Sequence, residues 1–130
     1  MDTFAAPATL ELSTIGQIAL SVTDIRRAIA FYRDTLGMKL LFQVPNMGFF
    51  DCGGVRLMLS ASQQRQGTSA TVVYFKVPEI HQAFSTLKSR NADIEQEPQM
   101  IARMPDHELW MAFFRDPDGN LLALMSEVRQ

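Results

Sequence analysis

Apolar positions along this chain switch between a period of two and a period near three and a half, and the switch happens twice. Residues 18–22, inside IGQIALSV, form a strand-like run that stops at Thr23-Asp24. Either of those side chains can accept a hydrogen bond from a free N–H of a first helical turn. Ile25, Ala28, Ile29, Tyr32 and Leu36 then fall on one helical stripe. Gly37 stands where a left-handed residue ends a helix. From Ile25 to Ile80, an offset of 55, the pattern recurs. Residues 71–77 (TVVYFKV) are β-branched and aromatic and predict a strand. Pro78 suits a first helical turn, where its missing N–H is not needed. Ile80, Ala83, Phe84 and Leu87 make the second stripe, and Asn91 ends it.

The second halves of the two units match at a different offset. GFFDCGGVRLMLS and MAFFRDPDGNLLALM each hold two short apolar runs around a turn. Glycine supplies positive φ there, and Pro117 pre-sets φ in the second turn. Asp51 aligns with Asp116, Gly54 with Gly119, Leu57 with Leu122 and Leu59 with Leu124, each 65 apart. The change from 55 to 65 places about ten extra residues in the second unit, most simply at 96–107, where Met100 and Met104 fit either a flexible lid or a dimer contact. Further strands are expected at 39–44 and 94–103. Each unit then reads strand, helix and three strands. The expected organisation is an N-terminal arm at 1–13 and one domain at 14–130, built of units 14–66 and 67–130. A unit with a single helix cannot cover both faces of its sheet, so the two must share a core or pair with another chain.

Composition narrows the function classes. The chain has 130 residues, is 47% hydrophobic and 20% charged, and carries a net charge of −2, so no draw towards nucleic acid follows. No apolar run reaches the roughly 18 residues of a membrane span. One cysteine, Cys52, excludes an internal disulfide and suits a cytoplasmic location. His81 and His107 are the only histidines, too few for a histidine-rich metal site.

The segments VTDIRRAIAFYRDTLG (22–37), FDCGGVRLML (50–59) and RDPDGNLLAL (115–124) carry a resemblance. Over residues 15–127 the chain resembles the vicinal oxygen chelate superfamily, also called the glyoxalase/bleomycin-resistance/dioxygenase superfamily. The resemblance implies an α+β fold of two βαβββ units whose curled mixed sheets form a half-barrel cavity. It also implies metal ligands at four positions, usually His, Gln or Glu. Carried over residue by residue, these are Gln17, Met58, Val72 and Ala123. Val72 and Ala123 have no donor atom and Met58 offers only a soft thioether, so no cofactor is expected. A homodimer is expected from the same resemblance, with each cavity built within one chain or across two.

Strand alternation places Gln17, Phe49, Asp51, Arg56, Met58, Tyr74, Met111, Phe113, Leu109 and His107 on the cavity faces. Arg56 reads as an ion-pair partner of Asp51 or as a fork for a substrate carboxylate or phosphate. Gln17 reads as a satisfied amide or a ligand contact. Tyr74 reads as a packed ring or a substrate donor, and His107 as a surface histidine or a general acid/base. His81 is expected in solvent and Cys52 as a small buried residue. The leading expectation is a protein that binds an apolar, possibly anionic, small molecule without metal, with His107 and Tyr74 as the candidate catalytic pair if it is an enzyme. The alternatives are a metal-dependent lyase or isomerase with a relocated site (Gln17, Asp51, His107 and Glu108) and an interaction module without a ligand.

Overall fold

A computed structural model describes residues 10–61 and 71–129. The arm residues 1–9 and the unit boundary at 66/67 lie outside the described residues. Strands β1 (Gln17–Val22), β2 (Lys39–Val44), β3 (Met47–Cys52) and β4 (Val55–Ala61) form one mixed sheet in the order β1-β4-β3-β2. Strands β5 (Val73–Lys76), β6 (Asp93–Arg103), β7 (His107–Arg115) and β8 (Leu121–Arg129) form the second, in the order β5-β8-β7-β6. The class is α+β as expected, and the sheets do not close into a barrel. The repeat is visible in the register. Ile18 pairs with Leu57 on parallel β1 and β4, and their mates Val73 and Leu122 pair on β5 and β8.

Helix α1 (Ile25–Ala30) starts at Asp24, whose carboxylate accepts the N–H groups of Arg26 and Arg27 at 3.1 and 3.3 Å. It continues as a π-helical turn, Phe31–Thr35, and Gly37 follows at φ 74°. Helix α2 (Ile80–Ser89) starts at Glu79, and Asn91 follows it at φ 63°. Thus Gly37 lies 13 positions after Asp24, and Asn91 lies 12 positions after Glu79. The wide i→i+5 turn takes up the extra residue, so the offset of 55 at the helix start becomes 54 at its end. Pro78 lies before the cap, not in the first turn.

Two further expectations are corrected. The extra residues at 96–107 are not a lid: they lengthen the β6–β7 hairpin, with register shifts near residues 95, 97–98 and 101. Asp51 and Asp116 are not structural mates. Asp51 pairs with Arg56, and the equivalent pair is Arg115 with Leu121, because the second turn holds one more residue. Asp51 is exposed on β3, whereas Asp116 is buried in the turn.

The helices cover one face of each sheet. Ala28 and Ile29 of α1 and Tyr32 of the π turn, with Ile80 and Leu87 of α2, join Leu20, Phe50, Leu57 and Leu59 of the first sheet and Phe114, Leu122 and Leu124 of the second in one core. Polar bonds lock the units together. The Tyr32 hydroxyl donates to Asp116 Oδ2 at 2.8 Å, Asn120 Nδ2 donates to the Ser21 carbonyl at 3.0 Å, and Thr23 donates to Asp118. Arg90 donates to the Thr35 carbonyl at 2.9 Å.

Burial, and then the Asp116 charge, push the Tyr32 phenol far above its ordinary range. The folded protein therefore holds this proton after the unfolded chain begins to release it, at a pH of about 10. The resulting stabilisation is complete below that pH and shrinks as pH rises above it. Thermal unfolding followed from neutral to strongly alkaline pH should fall more steeply for wild type than for Tyr32→Phe. Parallel curves would contradict the assignment.

Candidate functional site

The faces turned away from the shared core carry the candidate residues, and register arranges them in rows. On the first sheet, Lys39, Asp51, Arg56 and Gln17 lie side by side across β2, β3, β4 and β1. The next row is Phe42, Phe49, Met58 and Ala19, and the one after it Val44, Met47, Ser60 and Ser21. One end of this open face is therefore polar and the adjoining row is almost wholly apolar.

Arg56 Nε donates to Gln17 Oε1 at 2.8 Å, and its guanidinium carbon stands 5.5 Å from the centre of the Phe49 ring. The other neighbour of Phe49 is Phe42, stacked at 4.4 Å. Gln17 Nε2 lies 3.8 Å from Met58 Sδ. Of the two readings of Arg56, the ion pair with Asp51 does not form: among the described residues no carboxylate reaches Arg56, although Asp51 is its cross-strand neighbour. The row keeps two cations against one carboxylate.

On the second sheet the corresponding row is Tyr74, Ala123, Phe113 and Gln96, followed by Lys76, Met125, Met111 and Gln99. Tyr74 and Phe113 flank Ala123 from both sides, about 10 Å apart at normal strand spacing. Their ring centres are only 5.9 Å apart, edge to face. The rings thus lean together over Ala123, which is fully buried. Ala123→Leu should cost about 1–3 kcal/mol by overpacking, read by denaturant unfolding. An unchanged midpoint would mean that the rings do not close over this position.

His107 opens β7 on the open side, with Leu109, Met111 and Phe113 following it there, as expected. Its Nδ1 lies 2.8 Å from Asp106 Oδ1, and this contact holds the Asp106 carboxyl below the usual carboxylate range. Glu108 points to the helix side, where it accepts from Trp110 Nε1 at 3.1 Å and Arg103 at 3.1 Å. His107 stands six residues along β7 from Phe113, about 20 Å at the usual rise, and Phe113 is the ring that meets Tyr74. The candidate catalytic pair His107 and Tyr74 is therefore not brought together within one chain. Nor is the relocated set of Gln17, Asp51, His107 and Glu108: the first two sit on the other sheet, and Glu108 faces the opposite side of its strand from His107. Among the described residues no three His, Cys, Asp or Glu side chains converge.

The four family positions form two pairs, Gln17 with Met58 on the first sheet and Val72 with Ala123 on the second. Val72 sits just before β5 rather than in it. The one hard donor atom, Gln17 Oε1, already faces the Arg56 cation. One amide oxygen, one thioether and two hydrocarbon side chains do not fit a divalent cation of this kind.

Other features lie off these faces. Cys52 is half-buried on the helix side, and burial, then Asp51, push its thiol up. It lines a cleft of about 490 Å³ with Ile18, Leu57 and β5. A separate cavity of about 270 Å³ lies between the units, bounded by Leu36, Met38, Leu87 and Arg90. His81 is exposed as expected, but its ring also meets Trp110 edge to face at 5.1 Å. Lys39, Phe42, Val44 and Met47 were not legible as site residues. Only the pairing register of β2 and β3, across a bulge at residue 41, puts them beside Asp51 and Phe49.

A family model described as the glyoxalase/bleomycin resistance protein/dioxygenase superfamily matches residues 14–124. The uncharacterized protein YraH of Bacillus subtilis is 26% identical over 83% of this chain and 94% of its own length. The glutathione transferase FosA of Serratia marcescens is 24% identical over 87% of this chain and 80% of its own. Among solved structures, a lactoylglutathione lyase from Agrobacterium tumefaciens superposes with a TM-score of 0.70 at 22% identity, covering 88% of this chain and 93% of that one. A likeness at that identity speaks for the fold alone.

Proposed function

The chain belongs to the glyoxalase/bleomycin resistance protein/dioxygenase superfamily, and from that premise we propose that it binds an apolar small molecule bearing an anionic group, without a metal. One observation carries the reading: the Arg56 guanidinium is held on the Phe49 ring by the Gln17 amide oxygen, and among the described residues no carboxylate pairs with it. A fixed cation beside a row of Phe42, Phe49 and Met58 suits an apolar anion, since small-molecule sites are mostly apolar with a few fixed polar groups. The family positions argue in the same direction, because their donors do not suit a divalent ion.

The protein acts as a binder or sequestering protein in this reading, in the cytoplasm, through a domain at 14–130 with 1–13 as an arm. Tyr74 donates to the ligand, and Met111 and Phe113 supply apolar walls. A second copy of the chain completes the cavity. Support comes from the orientation of the faces: the helix sides share one core, and the open sides turn away from it with Phe42, Val44 and Tyr74 each more than 40% exposed. Exposed apolar surface of this extent calls for a cover.

A thermal-shift screen tests the reading. Small aryl and alkyl carboxylates should raise the unfolding temperature of metal-free wild type, and more than their neutral amides do. Stabilisation only after a divalent metal is added would favour the metal-dependent alternative. No shift with any small molecule would favour the interaction module.

A further inference from the structure

The polar row also selects among anions, and resting on the binding site just proposed we infer that Gln17 is a positioning residue that tunes Arg56 for a monocarboxylate. A guanidinium has five N–H donors in one plane. Nε–H, on one edge, is spent on Gln17 Oε1 at 2.8 Å. That bond closes the side-on approach through Nε and one terminal nitrogen. The end-on fork, made by the two terminal nitrogens, is left open. Phe49 holds one face of the plane at 5.5 Å, so the fork keeps a single orientation.

Two coplanar oxygens of a carboxylate fit that fork bidentately. The charge of the row agrees with a monoanion. Lys39, Asp51 and Arg56 stand side by side and leave one positive charge in excess. A phosphate or phosphonate dianion would bring two negative charges to a row whose net excess is one. The apolar row of Phe42, Phe49, Met58 and Ala19 begins one pleat away, so the carboxylate sits at the polar end and a hydrocarbon or aryl body runs along the sheet. The ligand class is an apolar monocarboxylate. The guanidinium stands beside Gln17, the one family ligand position with a hard donor, and supplies there the positive charge that binds the ligand oxygen.

The experiment is calorimetric titration of the full chain at mildly alkaline pH, where a phosphonate is mostly a dianion, with three probes on one skeleton: hydrocinnamate, hydrocinnamamide and phenethylphosphonate. Wild type should prefer hydrocinnamate by about tenfold over either of the others. Gln17→Leu frees Nε and should shrink the preference over the phosphonate to about threefold or less, a change in selectivity that a merely structural role would not produce. Gln17→Glu keeps the size and the hydrogen bond but neutralises Arg56, and should abolish the preference for hydrocinnamate over the amide. Gln17 is exposed, so both variants should unfold within a few degrees of wild type, which is checked first. Equal binding of all three probes to wild type would overturn this inference and leave apolar binding standing. Unchanged selectivity in Gln17→Leu and Gln17→Glu would also overturn it. Binding of none of the three would overturn the underlying reading as well.

Discussion

Asp116→Ala is expected to destabilise the protein by about 3–5 kcal/mol. Asp116 is buried and its two carboxylate oxygens accept four hydrogen bonds. Oδ1 takes the N–H groups of Asp118 and Asn120 at 2.9 and 2.8 Å. Oδ2 takes the Tyr32 hydroxyl and Asn120 Nδ2 at 2.8 and 2.9 Å. Alanine would strand all four donors, and a buried donor without a partner carries its full desolvation penalty. The damage would not stay local. The same turn holds the second unit to the π turn after α1 through Tyr32 and to β1 through Asn120 and Ser21. Denaturant unfolding should therefore show a lower midpoint, with the two units separating earlier. Tyr32→Phe removes only one of the four donors and should cost about 1–2 kcal/mol. A loss below about 1 kcal/mol for Asp116→Ala would mean that the turn and the unit contact stand without the carboxylate.

Arg56→Ala should weaken binding of an apolar carboxylate by about tenfold to a hundredfold, on the order of 1.5–3 kcal/mol. The side chain is exposed and lies outside the core, so stability should change by no more than about 0.5 kcal/mol. The two readouts together distinguish a binding role from a structural one. A neutral amide of the same skeleton gains nothing from the cation, and its affinity should stay within about twofold. Equal losses for acid and amide would mean that Arg56 acts by packing on Phe49 rather than by charge.

Much of this was readable from the chain because the repeat constrains it twice. The stripes at Ile25 and Ile80, and the turns at Gly54 and Gly119, place both helices and six of the strands. The parallel register of Ile18 with Leu57 and of Val73 with Leu122 comes from the structure and repeats the same match. Alternation correctly put His107, Leu109, Met111 and Phe113 on the open side, with Glu108 turned away. What the pattern could not give depends on residues that break the period. The π turn at 31–35 absorbs one residue without interrupting the apolar stripe, so Tyr32 still reads as ordinary core. Its bond to Asp116 crosses 84 positions of sequence. The bulge at residue 41 hides the alignment of Lys39 with Asp51. The extra residues at 96–107 mix Met, Pro and charged positions and suggest a lid, yet pairing with β7 holds them through Arg103 in the strand expected at 94–103. Arg56 was legible as a candidate, but its partner was not. Asp51 sits opposite it in the ladder, while the bond goes to Gln17 on the other side.

The most direct test of metal-free carboxylate binding is a paired titration with hydrocinnamate. The protein would be prepared without metal-affinity resin, its metal content measured, and the titration run first with a chelator and then with nickel, zinc, manganese or ferrous iron. The account predicts a metal content near zero per chain and one affinity, unchanged within about twofold across all these conditions. A metal near one per chain, or binding that appears only after a metal is added, would contradict it.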